Sequence, residues 1–369
     1  MGRTVPGVGH TGGMLDPLAA VRTPQDPACD VYLTGTVFLD IVFTGLDSAP
    51  VRGTESWARG MGSSPGGVAN MATALARLGL RTWLSAAFGD DVYGAFCREE
   101  LSQGEGVDLS LSRTVPGWHS PVTVSLGYEG ERTMVSHGHE APPPREPLPA
   151  VPPPTRAAVA SLTPGAPQGW IARTARDGGR VFADVGWDGT GRWDLAALTE
   201  LRHCEAFLPN AEEAMRYTRT DCPRAAARAL ADHVPLAVVT LGPEGAYAAD
   251  GRTGRTAEVP GVEVEVLDPT GAGDVFVAGF VMASLAEWPL AERLAFAGLV
   301  ASLSVQHFGG SLAAPGWPEI AAWCHRVHGC ASVGADVDCR YGFLRALLAD
   351  GERALPLRRA VPTIGFPRA

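Results

Sequence analysis

Lysine is missing from this chain: all 30 basic residues are arginine. The absence excludes whole classes of mechanism. A P-loop nucleotide site needs its lysine, a protein kinase needs a strand lysine, and a pyridoxal enzyme needs a Schiff-base lysine. Basic residues are also outnumbered, 30 against 40 acidic, for a net charge of −10. That balance argues against a nucleic-acid partner, whose phosphates call for a basic face. Cysteine is sparse: seven residues, at 29, 97, 204, 222, 324, 330 and 339, with no C-x-x-C pair. Zinc ribbons and thioredoxin-like chemistry are not expected; buried free thiols in a reducing cytoplasm are. The most apolar stretches, near 275–286 and 294–306, are broken by Gly, Ser and Gln, and read as buried helices rather than membrane spans. Met1 to Asp30 carries Gly, Pro and Thr instead of an apolar signal core.

What is present is enough for a large α/β core: 369 residues, 46% hydrophobic. Residues 1–28 read as a disordered leader. The run from Val31 through Gly35 to Asp40 fits a buried first strand with a glycine turn. Residues 41–62 alternate irregularly. Asn70–Gly79 follows a helical pattern, Thr82–Ala87 a strand and Gly94–Gly104 a helix. Pro121–Tyr128 and Arg132–His137 flank Glu129-Gly130-Glu131 as a hairpin. Residues 141–155 form a proline-rich connector. Beyond it, strands are expected near 157–162, 180–185, 205–208, 236–241 and 245–249. Helices are expected near 166–178, 194–202, 210–218, 223–233, 273–286, 290–307 and 317–328. Such alternation argues for a parallel sheet covered on both faces. In the tail 331–369, only Tyr341–Leu348 looks helical.

Four segments carry chemistry. In Asp268-Pro-Thr-Gly-Ala-Gly-Asp274, the small residues Gly271, Ala272 and Gly273 let backbone N–H groups converge at the start of an apolar helix, forming an anion hole. Asp274, in the first turn, could take a proton from an attacking hydroxyl. That pairing of stabilised oxygens with a base suits phosphoryl transfer; an N-capped glycine turn would be the plain alternative. In Ser64-Pro-Gly66-Gly67-Val-Ala-Asn70, paired glycines permit close backbone approach, and Asn70 offers an amide to hydroxyls. The same residues would also serve as a turn with an Asn cap. Asn210-Ala-Glu-Glu213 reads as a capping box or as a polar site. Thr240-Leu-Gly242-Pro-Glu-Gly245 reads as a hairpin turn or as a loop covering phosphates.

Together and in this order, the four segments resemble the ribokinase-like carbohydrate kinases of the phosphofructokinase B type, over about residues 31–328. The resemblance implies a three-layer α/β/α sandwich with a small β-sheet lid, placed here at about 41–60 and 118–138. The kinase domain would span 29–330, with a C-terminal extension at 331–369. It implies transfer of the ATP γ-phosphoryl group to a hydroxyl of a small carbohydrate. Asp274 matches the general base, and Gly271, Ala272 and Gly273 the anion hole. Asp40, Gly66, Gly67 and Asn70 match substrate-binding positions, with a solvated strand-end acid as the plain alternative for Asp40. Asn210 and Glu213 match the motif that organises Mg²⁺ and phosphate through water. Thr240, Gly242 and Gly245 match the nucleotide loop. Asp268 and Thr270 match a monovalent-cation site, K⁺ in some members. Pro65 replaces the first glycine of the pair, and Gly298 stands where an asparagine near adenine is frequent. An unphosphorylated sugar or sugar acid is the favoured substrate, ahead of a nucleoside and then a sugar phosphate. For a resident phosphate, Arg132 and His137 are the candidate cations; Trp118 is a candidate wall for a base or sugar ring, or more plainly a lid-core aromatic. A non-catalytic sugar-binding regulator is the alternative from a different class. The expected setting is cytoplasmic, with no membrane contact, as a homodimer through the lid.

Overall fold

Period-two burial along the strands divides the interior into two cores. In Arg180–Val185, Phe182 packs toward one face, while Val181, Ala183 and Val185 pack toward the other. A strand buried on both sides must sit inside a sheet covered by helices. The computed structural model describes residues 15–129, 131–142, 152–328 and 340–349. Its main sheet has eight strands. They are β1 (Cys29–Thr34), β4 (Thr82–Ser85), β9 (Thr155–Leu162), β10 (Arg180–Val185), β11 (Ala206–Phe207), β12 (Leu236–Thr240), β13 (Ala246–Asp250) and β14 (Thr256–Val259). Their order is β14-β13-β12-β11-β10-β9-β1-β4. Pairing is parallel from β4 through β12. It turns antiparallel at β13 and β14, which the purely parallel expectation missed.

Helices α1 (Val68–Arg77), α6 (Ala272–Leu285), α7 (Leu290–Ser304) and α9 (Trp317–His328) cover one face. Helices α3 (Trp170–Arg176), α4 (Ala211–Thr218) and α5 (Pro223–Leu230) cover the other. Phe182, Phe280 and Phe296 are fully buried in the larger core. Each contributes about 1.5–3 kcal/mol of burial. Two 3₁₀ turns, Leu195–Ala197 and Leu201–His203, replace the helix expected at 194–202. The Gly94–Gly104 helix is α2 (Val92–Glu99) followed by a π turn at Glu100–Gly104. A short parallel pair, β5 (Ala87–Gly89) and β6 (Arg113–Val115), completes this region.

The run from Val31 to Asp40 is not one strand. β1 ends at Thr34, and the chain re-enters as β2 (Val37–Leu46) in a second sheet of order β3-β2-β7-β8. The break falls at Gly35, where a Cβ would meet Val68 Cβ of α1 at 3.1 Å. This lid comprises β2, β3 (Gly60–Gly67), β7 (Val122–Tyr128) and β8 (Glu131–His137). The expected hairpin is present as β7–β8, paired from Val122–His137 to Tyr128–Glu131. The lid therefore begins at residue 37 and extends to 67, past the expected bounds.

Residues 15–28, read as leader, are packed instead. Leu18 is wholly buried, and Arg22 pairs with the buried Asp30 at 2.8 Å. Residues 1–14 lie outside the described residues, as do 143–151 of the connector and most of 331–369. Within the tail, α10 (Phe343–Ala349) matches the expected helix, and Tyr341 packs edge-on against Trp323 of α9. No helix among the described residues is long and apolar enough to cross a membrane.

Candidate active site

The glycine-rich turn opens α6 as its residue types dictate. Gly271 is the N-cap, with φ 75° in the left-handed region that only glycine enters freely. Of the first N–H groups of α6, that of Ala272 donates back to Pro269 O at 3.2 Å, and those of Gly273 and Asp274 lack intrahelical acceptors at the positive end of the helix dipole. A Cβ at Gly273 would meet nothing within 4 Å, so the space above the turn is open. Asp268 ties the turn together from within. Its Oδ1 accepts from Thr270 N at 2.9 Å and Thr270 Oγ1 at 2.5 Å, and its Oδ2 from Gly309 N at 3.0 Å. Asp274 sits three residues into the helix.

Strand β2 delivers Asp40 in mid-strand rather than at a strand end, opposite Ser64 of β3 and Thr123 of β7. Gly66 lies against its carboxylate: a Cβ there would overlap Asp40 Oδ2 at 1.9 Å. The glycine is thus a space requirement, and it occurs at the end of a strand, not in the expected turn. The turn is confined to Gly67, whose φ of 63° starts α1. Asn70 therefore does not cap the helix. It lies within α1, and its Nδ2 donates to Asp274 Oδ2 at 2.9 Å. One hydrogen bond joins α1 to the first turn of α6. Among the described residues, no side chain donates to Asp40.

The carboxyls at this site feel each other. Burial, then the charge of Asp274, pushes Asp40 up to about 7, against the pull of Arg132. Burial raises Asp274 to about 6, opposed by the Asn70 hydrogen bond. A third acid was not singled out in the sequence. Asp184, near the carboxyl end of β10, is raised to about 7 by burial, then by Asp274, with Glu213 adding to it. Its Oδ1 is buried and accepts no hydrogen bond. The signal was available: one acid in the apolar run R-V-F-A-D-V, at the strand end where ligands bind in α/β sheets.

Asp184 makes a testable statement about stability. Its folded pKa lies above the ordinary carboxylate value, so the native state holds its proton longer than the unfolded chain does. Stability is lost as pH rises from about 4 through 7. Asp184→Asn removes that cost. We expect stabilisation on the order of 2 kcal/mol at pH 8 after screening, a few degrees in Tm, shrinking toward pH 4. Thermal melts at pH 8 and pH 5 decide; an unchanged Tm at pH 8 refutes the strained carboxylate.

The capping-box reading of Asn210 and Glu213 holds. The capping box is complete, with Glu213 N to Asn210 Oδ1 and Asn210 N to Glu213 Oε2, both at 2.9 Å. It also fixes Glu213 close enough to raise Asp184. Thr240 ends β12 and bridges to Asn210. Gly242 and Gly245 shape the tight turn to β13, with φ of 60° and 105°. A Cβ on Gly245 would strike Val259 O at 2.1 Å, so the loop is held against β14. The nucleotide-loop and Asn210 segments thus meet along the carboxyl ends of β11 and β12.

The lid supplies one more group. Arg132 of β8 donates to Thr270 Oγ1 and stands 3.8 Å from Asp268 Oδ1. It shares the Asp40 face of the lid, since Asp40 pairs with Thr123, Thr123 with Ser136, and Arg132 lies four residues from Ser136. His137, one residue on from Ser136, takes the other face and packs against His119 and His139. Trp118 is 9% exposed and belongs to the interior, not to a ring wall.

A glycine-rich turn opening an apolar helix, a carboxylate in that helix's first turn and a second carboxylate on a small lid sheet are the features this fold brings together. The pfkB carbohydrate kinase family model matches residues 38–317, and the chain belongs to that family. It is an ATP-dependent carbohydrate kinase. It is 33% identical over 269 residues to a fructokinase of Klebsiella pneumoniae, covering 68% of this chain and 85% of that one. Among solved structures it superposes on an E. coli protein assigned as ribokinase II, bound to ATP and Mg²⁺. That match has TM-score 0.66 and 17% identity, covering 81% of this chain and 99% of the other. It also matches Arabidopsis thaliana ribokinase in complex with ribose and ATP, with TM-score 0.62 and 22% identity, covering 81% and 98%. At these identities the two superpositions establish the fold.

Proposed function

We propose that the chain transfers the γ-phosphoryl group of ATP to a hydroxyl of a neutral, unphosphorylated sugar, with Asp274 as general base. The observation that carries this reading is the Asn70–Asp274 hydrogen bond. It ties Asp274, in the first turn of α6, to helix α1, and the charge of Asp274 is felt at Asp40, which supports Asp274 as the base beside the substrate side. Asp40 and Asn70 hold substrate hydroxyls with Gly66 and Gly67 giving backbone access. Asp274 takes the proton from the attacking hydroxyl. The N–H groups at Gly271, Ala272 and Gly273 receive the charge of the transferring group. Thr240, Gly242 and Gly245 border the nucleotide. A sugar phosphate fits poorly, because Asp40, Asp184 and Asp274 crowd the cleft, and Arg132 is already engaged with the turn.

The residues present suit Mg²⁺. Asp184 accepts a hydrogen bond from Ser161 but its buried Oδ1 has no donor, and the charges of Asp274 and Glu213 are felt there, a negative setting that suits a cation. Among the described residues, no three His, Cys, Asp or Glu side chains converge tightly enough to chelate an ion by themselves. That suits an ion that keeps waters and binds phosphate oxygens. Bound there, Mg²⁺ would neutralise phosphate charge. K⁺ fits less well. The Asp268 oxygens already accept from Thr270 and Gly309, and a guanidinium stands beside them. We propose that turnover needs no monovalent cation.

Phosphorylation assays with ATP and a panel of ketoses, aldoses, sugar acids, nucleosides and sugar phosphates test the function. Turnover fastest on a neutral sugar supports it. Preference for a nucleoside or sugar phosphate, or no turnover with tight sugar binding, overturns it.

We also propose a homodimer through the lid. Both lid edges, β3 and β8, are unpaired among the described residues, and Val135, Met134 and Trp57 are exposed at 63%, 51% and 82%. Such a sheet is an association surface. Light scattering is expected to give about twice the 38.6 kDa chain mass. A fully active monomer refutes it. Buried thiols at Cys29, Cys97, Cys204 and Cys324 favour a reducing, cytoplasmic setting. The acidic net charge favours a small-molecule partner over nucleic acid.

A further inference from the structure

Arg77, at the far end of α1 from the substrate side, is an unusual residue to bury. Its side chain is 4% exposed and pairs with Glu105, also 4% exposed, through Nε at 2.9 Å and Nη2 at 2.6 Å. Its Nη1 donates to Leu312 O at 3.0 Å and Ala314 O at 2.5 Å. A buried ion pair adds little net stability, because desolvation offsets the attraction. What a guanidinium adds is direction: a rigid fork that fixes two carbonyls at once.

Those carbonyls belong to the segment that backs the active site. Helix α8 (Gly310–Ala313) follows Gly309, whose N–H holds Asp268. Ser311 Oγ donates to Pro65 O at 2.5 Å, tying α8 to β3. Gly310 is wedged between the two halves of the site. A Cβ on Gly310 would lie 2.5 Å from Asn70 Oδ1, and a Cβ on Gly271 would lie 2.9 Å from Gly310 Cα. Asn70 Oδ1 is buried and receives no hydrogen bond. The amide is held by its bond to Asp274 and by its contact with Gly310, with Gly271 also against its Nδ2.

We infer that Arg77 and Glu105 are positioning residues for phosphoryl transfer. Through Leu312 and Ala314 they hold Gly310 against Asn70, and Asn70 thereby aims the Asp274 carboxylate at the attacking hydroxyl. The inference rests on Asp274 as the base. Displacement of a reacting group by about 1 Å costs on the order of 10²-fold in rate, so a relay this far from substrate is felt in kcat.

The test uses Arg77→Lys and the paired variant Arg77→Met/Glu105→Met. The paired variant leaves no lone buried charge and so protects folding. Expected are a 10–100-fold fall in kcat, KM for ATP within about threefold, and an acid limb of the kcat profile moved to higher pH. The limb moves because a misaligned Asn70 no longer opposes the burial of Asp274. Asn70→Ala should give the same shift, and adding it to the paired variant should bring little further loss. A lowered Tm with wild-type kcat and an unmoved limb overturns the inference, as does a kcat loss fully additive with Asn70→Ala. If Asp274→Asn retains turnover, the base assignment itself fails, an outcome separate from either.

Discussion

Asp274→Asn is expected to lower kcat by about 10²–10⁴-fold while leaving ATP affinity within a few-fold. The amide keeps the shape of the side chain but cannot accept the hydroxyl proton. Nor does it upset the turn, which is held by Asp268 through Thr270 and Gly309 rather than by Asp274. The rate of the native enzyme should also report the same carboxyl. Asp274 is raised to about 6 and Asp40 to about 7, each by burial first. Protonation of either removes a working group, so kcat/KM falls as pH drops below about 7, as a coupled pair rather than as one residue. Rapid quench with labelled ATP, alongside calorimetric titration of ATP, separates chemistry from binding. A variant within threefold of wild type removes Asp274 from the base role.

The turn at Asp268–Asp274 was legible because its chemistry is local. Small residues ahead of an apolar run mark a helix start from neighbouring positions alone, and the structure puts Gly271 at the N-cap. Asn210 and Glu213 were legible for the same reason, since a capping box is set by four consecutive residues. The lid was harder to read. Val31–Asp40 is a continuous apolar run, and only Gly35 marks where it leaves one sheet for another. Pattern alone cannot distinguish a strand from two strands sharing a pivot. That pivot turned Asp40 from a strand-end acid into a mid-strand one facing the cleft. For Asn70 the sequence left a hydroxyl-binding amide and a helix cap side by side, because its partner lies 204 residues away in the chain, beyond any spacing rule. The relay from Arg77 to Gly310 is equally nonlocal, and so is the placement of Asp184 beside Glu213. Arg132 was visible as a lid cation, but not its target. Its face follows from hairpin register, whereas its reach to Thr270 depends on how the lid closes over α6.

Arg132→Gln is expected to lower kcat by about 10²–10³-fold with little change in Tm. In a lysine-free chain, Arg132 is the guanidinium that the lid brings to the anion turn. Its side chain is 34% exposed and carries no core packing, so its loss should spare the fold. Its position argues for catalysis. It donates to Thr270 Oγ1 and stands by Asp268, and its charge draws the Asp40 carboxyl down against burial. As charge gathers on the transferring phosphoryl, a guanidinium at that turn is worth more in the transition state than in the ground state. The loss should therefore fall on kcat rather than on KM. It is set below the largest arginine effects because the α6 N-terminus shares the load. The same placement gives Arg132 the charge that a monovalent cation would otherwise bring to Asp268. Wild-type kcat/KM should then change less than twofold when K⁺ is exchanged for tetramethylammonium. Activation above tenfold by K⁺ in the wild type would sink the cation assignment. An Arg132→Gln rate within threefold of wild type would sink the catalytic one.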